Sequence, residues 1–139
     1  MTDIFKNRWM TFLVIAALTF TAYSFALQGS FKTMDDEVSI VNNDRIKSFS
    51  RIGEIFRSSF FGDKSYYRPF VLLSFMMEYH FFGLNPFYYY LTNILLHIAT
   101  AWTVFLIMEL LLPQKIWAGA VALLFAIHPI QWEAVSNVP

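Results

Sequence analysis

Two long stretches of the chain carry no fixed charge, and they decide what it can fold into. Between Glu78 and Glu109 there is no Asp, Glu, Lys or Arg, and the same holds from Trp9 to Phe31. About twenty helical residues span about 30 Å, the thickness of a bilayer's hydrocarbon core. Composition agrees. Of 139 residues, 57% are hydrophobic and 14% are charged, against about 25% charged in a soluble domain. A disordered chain, a coiled coil and a typical cytosolic enzyme are excluded, and a membrane protein of about one domain remains. Ten basic residues balance ten acidic ones, so no excess positive charge recruits nucleic acid. The chain has no cysteine, hence no disulfide, thiolate metal site or thiol nucleophile.

The expected fold is an all-α membrane protein with about three transmembrane helices, at 9–28, 86–112 and 116–130. Interfacial helices are expected in an outer loop over 32–85. The first span follows Lys6 and Arg8 and precedes Lys32. Ser24 and Ala26 offer a signal-peptide cleavage site, but the apolar run exceeds the ~7–15 residues of such a segment, which favours an uncleaved anchor. Pro86 opens the second span, Phe87, Tyr88, Tyr89 and Tyr90 form an aromatic belt, and Pro113 closes it. In the third, Pro129 disfavours helix at His128. The apolar segment 70–82, with Ser74, Glu78 and His80, is too short and polar to cross. It is expected to lie at the interface, starting at Arg68-Pro69 and ending at Gly83.

The segment 32–68 holds the basic residues Lys32, Arg45, Lys47, Arg51, Arg57, Lys64 and Arg68 and the acids Asp35, Asp36, Glu37, Asp44, Glu54 and Asp63. Ile46, Phe49, Ile52, Phe56 and Phe60 recur at helical spacing, with Lys47, Arg51, Glu54 and Arg57 pointing elsewhere. The pattern predicts an amphipathic helix over 44–61, capped by Asn43 or Asp44, on the membrane surface or on the protein's own core. Three spans put the loop and the His128 end on one side, opposite the N-terminus and Lys115. A positive-inside count, with only Lys6, Arg8 and Lys115 elsewhere, places the loop inside. The site reading below requires it outside, so the two arguments conflict.

Familiar catalytic motifs are absent: the glycines are scattered, and there is no HExxH or GxSxG. Asp35-Asp36-Glu37 suits a general base, since adjacent carboxylates raise one another's pKa. Taken alone it suits better a solvated turn or the start of a short helix. Arg68 fits a lipid phosphate or a snorkelling side chain. Asn93 and His97 share a face of the second span with Tyr90, as interhelical hydrogen-bond partners or as ligand-binding groups. Glu78 and His80 read similarly. His128 and Glu133 either serve a site or cap a helix end and pair. No spacing marks a metal site.

The motif order carries a resemblance: Asp35-Asp36-Glu37-x-x-Ile40-x-x-Asn43, Ile55-Phe56, and Tyr67-Arg68-Pro69-x-x-x-Leu73-Ser74-Phe75 come first. Phe82-Gly83-Leu84-Asn85-Pro86-x-x-Tyr89, Asn93-Ile94-Leu95-Leu96-His97 and Leu124-Phe125-Ala126-Ile127-His128-Pro129-Ile130-x-x-Glu133-Ala134-Val135 follow. This resembles the N-terminal portion of GT-C fold membrane glycosyltransferases, nearest the tetratricopeptide-containing protein O-mannosyltransferases and their bacterial relatives. The resemblance implies a polytopic enzyme of the bacterial inner membrane or endoplasmic reticulum. It implies a polyprenyl-phosphate sugar donor, a hydroxyl acceptor on protein or glycan, surrounding membrane lipid, and no cofactor.

On that reading Asp35 and Asp36 act as base toward the acceptor. Arg68 takes the phosphate, and His128 and Glu133 line the cavity with Asn93 and His97 as further substrate-binding candidates. Tyr90 stands where relatives commonly have histidine. Relatives also continue past the Ala134-Val135 block with an arginine-bearing segment, further helices and often a tetratricopeptide tail, so this chain is expected to be a fragment, inactive alone. Two competing readings are a non-catalytic membrane adaptor and a transporter fragment, the latter resting on Glu109.

Overall fold

The computed structural model describes residues 7–31, 34–60 and 66–137. Lys6, Lys32, Asp63 and Lys64, counted above among the loop and flanking charges, lie outside the described residues, as does position 61 of the expected surface helix. Every regular element among the described residues is helical. In chain order these are α1 (Arg8–Tyr23) with a 3-10 extension (Ser24–Gln28), α2 (Met34–Asp36) and a π-helical turn (Glu37–Val41). Two 3-10 turns (Asp44–Lys47, Phe49–Arg51) lead into α3 (Ile52–Ile55). Then come α4 (Pro69–Phe82), α5 (Pro86–Leu111), α6 (Lys115–Ile127), a 3-10 turn (Pro129–Gln131) and α7 (Trp132–Ser136).

Among the described residues, two helices are long and apolar enough to cross a membrane: Arg8–Gln28, with 21 residues, and Pro86–Leu111, with 26. The second is about 39 Å long, which exceeds the hydrocarbon core and leaves room for tilt. The third expected span, 116–130, breaks at His128, where Pro129 is expected to disfavour helix. Its helix stops at Ile127, and the pair Lys115–Ile127 and Pro129–Ser136 is bent by 46°. Pro129 is the cause, because its ring drives His128 out of the helical region, to φ −65 and ψ 132.

The chain forms two compact units. The first takes the described parts of Met1–Gln28 and Tyr90–Asn137. Here α1 buries Thr11, Ile15, Thr19 and Tyr23, a stripe at i,i+4 spacing. The Thr11 and Thr19 hydroxyls donate to the carbonyls of Asn7 and Ile15 in the turn before, at 3.1 and 2.7 Å, so no polar hydrogen faces the seam. Ile15 packs with Ala101 and Phe105 of α5 and with Ala118, Ala122 and Ala126 of α6. Alanine every fourth residue lets a neighbouring backbone approach closely, the usual solution where lipid removes the hydrophobic drive between helices. A second cluster joins Tyr23, Ile94, Ile98 and Val135, with Leu27 against it.

Polar contacts set the register of this unit. Glu109 Oε2 accepts from Arg8 Nε at 2.9 Å, and Glu109 Oε1 lies 2.6 Å from Lys115 Nζ. Further along α5, Asn93 Nδ2 donates to the Asn137 carbonyl at 3.0 Å. The segment from Lys115 to Asn137 therefore follows α5 back from Glu109 to Asn93, a rise of about 24 Å.

The second unit holds the described parts of Gly29–Tyr89. Pro69 opens α4 as expected, and Gly83 ends it at φ 62 and ψ −141. Phe31 and Phe75 flank Tyr89 at 5.2 and 5.8 Å between ring centroids, and Phe60 packs on Phe75 at 6.4 Å. The amphipathic helix expected over 44–61 is not one helix. Ser48 is extended, at φ −146 and ψ 130, and its hydroxyl accepts from the Ser50 amide. Serine competes in this way with helical backbone bonding. The break changes which side chains face inward: Ile46, Ile55 and Phe60 are buried, while Phe49, Ile52 and Phe56 are exposed.

Candidate functional site

The acidic motif sits on α2 and the start of the π-helical turn. The Ser39 hydroxyl donates to the Asp35 carbonyl, and the Asn43 amide donates to the Ser39 carbonyl, so the motif is tied to the turn that follows it. Neighbouring residues in a helix point about 100° apart, and this separates the two acids. Asp35 is exposed and Asp36 is buried at 2%. Their environments differ, so the two carboxylates do not present as an equivalent pair. Arg68 is exposed, with its guanidinium 5.8 Å from the Phe60 ring centre and 5.4 Å from that of Tyr66. Cation–π contact of this kind orients a guanidinium without using its in-plane N–H donors.

Asn93, His97, His128 and Glu133 belong to the first unit, whereas Asp35, Asp36 and Arg68 belong to the second. Asn93 and His97 share a face, but each has its own partner. His97 Nε2 lies 2.8 Å from the Ala126 carbonyl. A carbonyl only accepts, so the proton is on Nε2. The ring stands edge-on to Tyr23 at 5.3 Å and beside Phe125 at 5.5 Å. His128 caps the turn after its own helix: Nδ1 accepts from the Ile130 amide at 3.2 Å, which puts its ring proton on Nε2 as well. The His128 carbonyl accepts from the Tyr23 hydroxyl at 3.3 Å. Glu133 is exposed in the first turn of α7. A cavity of about 270 Å³ opens beside this network, lined by Asn93, His97 and Gln131 with Leu96, Phe125 and Val135 among its apolar walls.

Glu78 is buried at 7%, and the His80 ring packs at 4.7 Å on Phe49. His80, Lys47, Ser48 and Ser50 edge a second cavity of about 280 Å³ over Met76. Lys47 hydrogen-bonds Asp44 at 2.9 Å and thereby holds that exposed carboxyl below its ordinary pKa. This contribution to the turn is present above the free carboxyl's pKa and is lost as pH falls through the lowered value. Among the described residues no group of three His, Asp or Glu side chains is placed to hold a metal ion.

Sequence reasoning missed two organising residues. Arg45 was one basic residue of several, yet it binds Asn43 Oδ1 at 3.0 Å, Ser58 Oγ at 2.7 Å, and the carbonyls of Ser59 and Phe60 at 2.8 and 2.6 Å. Tyr23 lay unremarked within the charge-free run that became α1. Its hydroxyl near the end of a span was the available signal, since a buried phenol seeks an acceptor.

The chain is 32% identical to protein O-mannosyl-transferase Tmtc1 of Drosophila melanogaster over 130 residues, covering 88% of this chain and 15% of the relative. It is 33% identical to protein O-mannosyl-transferase TMTC2 of Homo sapiens over 133 residues, 91% of this chain and 16% of that protein. With protein O-mannosyl-transferase TMTC3 of Mus musculus it shares 33% over 146 aligned positions, 99% of this chain and 15% of the relative. The chain thus resembles the TMTC protein O-mannosyl-transferases, as its motif order implied, and spans about 15% of the length of the curated relatives it matches. No protein-family model and no solved structure matches it.

Proposed function

We propose that the chain is a segment of a GT-C membrane glycosyltransferase that moves a sugar, mannose on the strength of its relatives' names, from a polyprenyl-phosphate donor to a protein hydroxyl. The observation that carries this reading is similarity along nearly the whole chain to proteins named as O-mannosyl-transferases. The acceptor oxygen attacks the anomeric carbon, the carbon–oxygen bond to the lipid phosphate breaks, and the phosphate leaves with the bonding pair. Little covalent help is needed, because the phosphate is already a good leaving group. The protein's work is to position the hydroxyl, remove its proton and stabilise the phosphate charge.

Asp35, the exposed acid, is the base. Asp36, buried beside it, positions the turn that presents Asp35. Arg68, steadied between two rings, offers its N–H fork to the phosphate. Asn93 and His97, which line the cavity of the first unit, and His128 and Glu133 nearby in sequence are the further substrate-binding candidates.

The test is a chimera in which this chain replaces the matching segment of the Drosophila relative, assayed for mannose transfer to protein. Asp35→Asn should lower transfer by about 10²–10⁴, the usual contribution of a general base, with expression and helicity retained. Transfer at the unsubstituted rate in both Asp35→Asn and Asp36→Asn would remove the acids from the site. A folded chimera without any transfer would count against the reading itself.

A further inference from the structure

The first unit carries a feature the proposed chemistry does not use. At one end of its bundle the Glu109 carboxylate is buried, its side chain 6% exposed, beneath two exposed cations: Arg8 at 61% and Lys115 at 45%. One acid inside and two bases outside leave a net positive charge, all of it facing outward. Trp9 and Trp117, each next to or near one of these cations in sequence, are exposed at 77% and 60%. Exposed tryptophan beside basic residues at the end of an apolar helix is the signature of the headgroup level.

Directly below, Arg8, Trp9, Phe12, Trp102 and Leu106 line an open groove of about 520 Å³. Leu106 and Trp102 follow Glu109 down α5 by one and two turns, so the groove reaches about 10 Å from the charged end. Its apolar wall is held by ring contacts: Phe12 meets Trp102 edge-on at 5.3 Å, and Trp102 stacks on Phe105 at 4.9 Å. The volume falls in the range of small-molecule sites, ~300–1,000 Å³.

We propose that this groove seats an acyl chain of an anionic phospholipid whose phosphate rests on Arg8 and Lys115. The geometry matches an amphiphile in order: cations at headgroup level, tryptophan beside them, then an aromatic slot running into the apolar zone. A zwitterionic lipid gains the slot without the charge, and an inorganic anion gains the charge without the slot.

The experiment reads tryptophan quenching by brominated lipids in the full 139-residue chain, reconstituted in phosphatidylcholine vesicles. Replacing Trp9, Trp117 and Trp132 by Phe leaves Trp102 as reporter. Replacing Trp9, Trp102 and Trp117 leaves Trp132, far from the groove in sequence and at the α7 end of the unit. Dibrominated phosphatidylglycerol should quench Trp102 with an association constant about fivefold above that of dibrominated phosphatidylcholine, the worth of one net basic charge near a membrane surface. Trp132 should show no such preference. The triple substitution Arg8→Gln, Glu109→Gln, Lys115→Gln removes the charges together, leaving no buried acid unpaired, and should abolish the preference at Trp102. Equal quenching of Trp102 by the two lipids overturns the proposal. So does an equal preference at Trp132, survival of the preference in the triple variant, or its loss on adding inorganic phosphate, which would mark a bare anion site. If the triple variant does not fold, the contrast between Trp102 and Trp132 in the native cluster decides alone.

Discussion

His97 of α5 donates its Nε2 proton to the carbonyl of Ala126, 2.8 Å away on α6, and so closes the helix that Pro129 interrupts. In an unbroken helix that carbonyl would accept from the amide of Ile130, four residues on. The Ile130 amide is instead turned to His128 Nδ1. His97 is buried at 7% and lies well inside α5, so water is not a ready substitute. His97→Leu should therefore destabilise the bundle by about 1–2 kcal/mol, the cost of a carbonyl left without its donor. His97→Gln, which can still donate, should recover part of this. Unfolding in mixed detergent micelles, followed by circular dichroism, measures both. A leucine variant as stable as the parent would mean the break is held by packing alone.

How far this was legible in the sequence depends on the kind of signal. The long elements announced themselves: charge-free runs, Pro69 and Pro86 as starts, and Gly83 as a stop all lie where the helices begin and end. The expected helix over 44–61 misled because periodicity counts apolar spacing and is blind to Ser48, whose hydroxyl captures an amide and breaks the ladder. At the site, the adjacency of Asp35 and Asp36 was plain, but the helical rotation that buries one and exposes the other was not. His97 was visible as a candidate, yet its partner is a backbone carbonyl and leaves no trace in residue type.

The ion pair of Arg8 with Glu109 and that of Glu109 with Lys115 put the start of α1 and the α5–α6 turn at the same end of the first unit. Because the chain lacks cysteine, single cysteines report cleanly. Asn7→Cys and Gln114→Cys, both at exposed positions, should react with an impermeant maleimide from the same side of sealed vesicles. Asp35→Cys, beyond the first span, should react from the other. Opposite sides for positions 7 and 114 would contradict the bundle's register. The same side for 35 and 114 would contradict the site's orientation.

Gly83 ends α4 at φ 62 and ψ −141, a region that only glycine enters without penalty. A Cβ built there meets nothing within 4 Å, so the whole cost of Gly83→Ala is backbone conformation, about 1–3 kcal/mol. The Tyr89 hydroxyl donates to the Gly83 carbonyl at 3.0 Å and helps hold this turn. Tyr89→Phe should cost less, about 1 kcal/mol. Micelle unfolding of the two variants should rank them in that order, and a neutral alanine variant would mean the turn relaxes to negative φ.

Arg45 gathers the segment that the broken helix leaves behind. Its guanidinium reaches Ser58 Oγ and the carbonyls of Ser59 and Phe60 as well as Asn43, so four acceptors depend on one planar fork. Lysine keeps the charge but is a point donor on a flexible stem, unable to serve acceptors on both sides. Each bond to a charged group is worth about 1.5–3 kcal/mol. Arg45→Lys should therefore loosen residues 58–60 nearly as much as Arg45→Gln does. The amide of Phe60, which donates to the Tyr66 carbonyl, is the reporter: its hydrogen exchange should accelerate by at least about tenfold in both variants. Exchange restored by lysine would show that charge alone holds the segment, and exchange unchanged in both would show that Phe60, buried against Phe75, anchors it without Arg45.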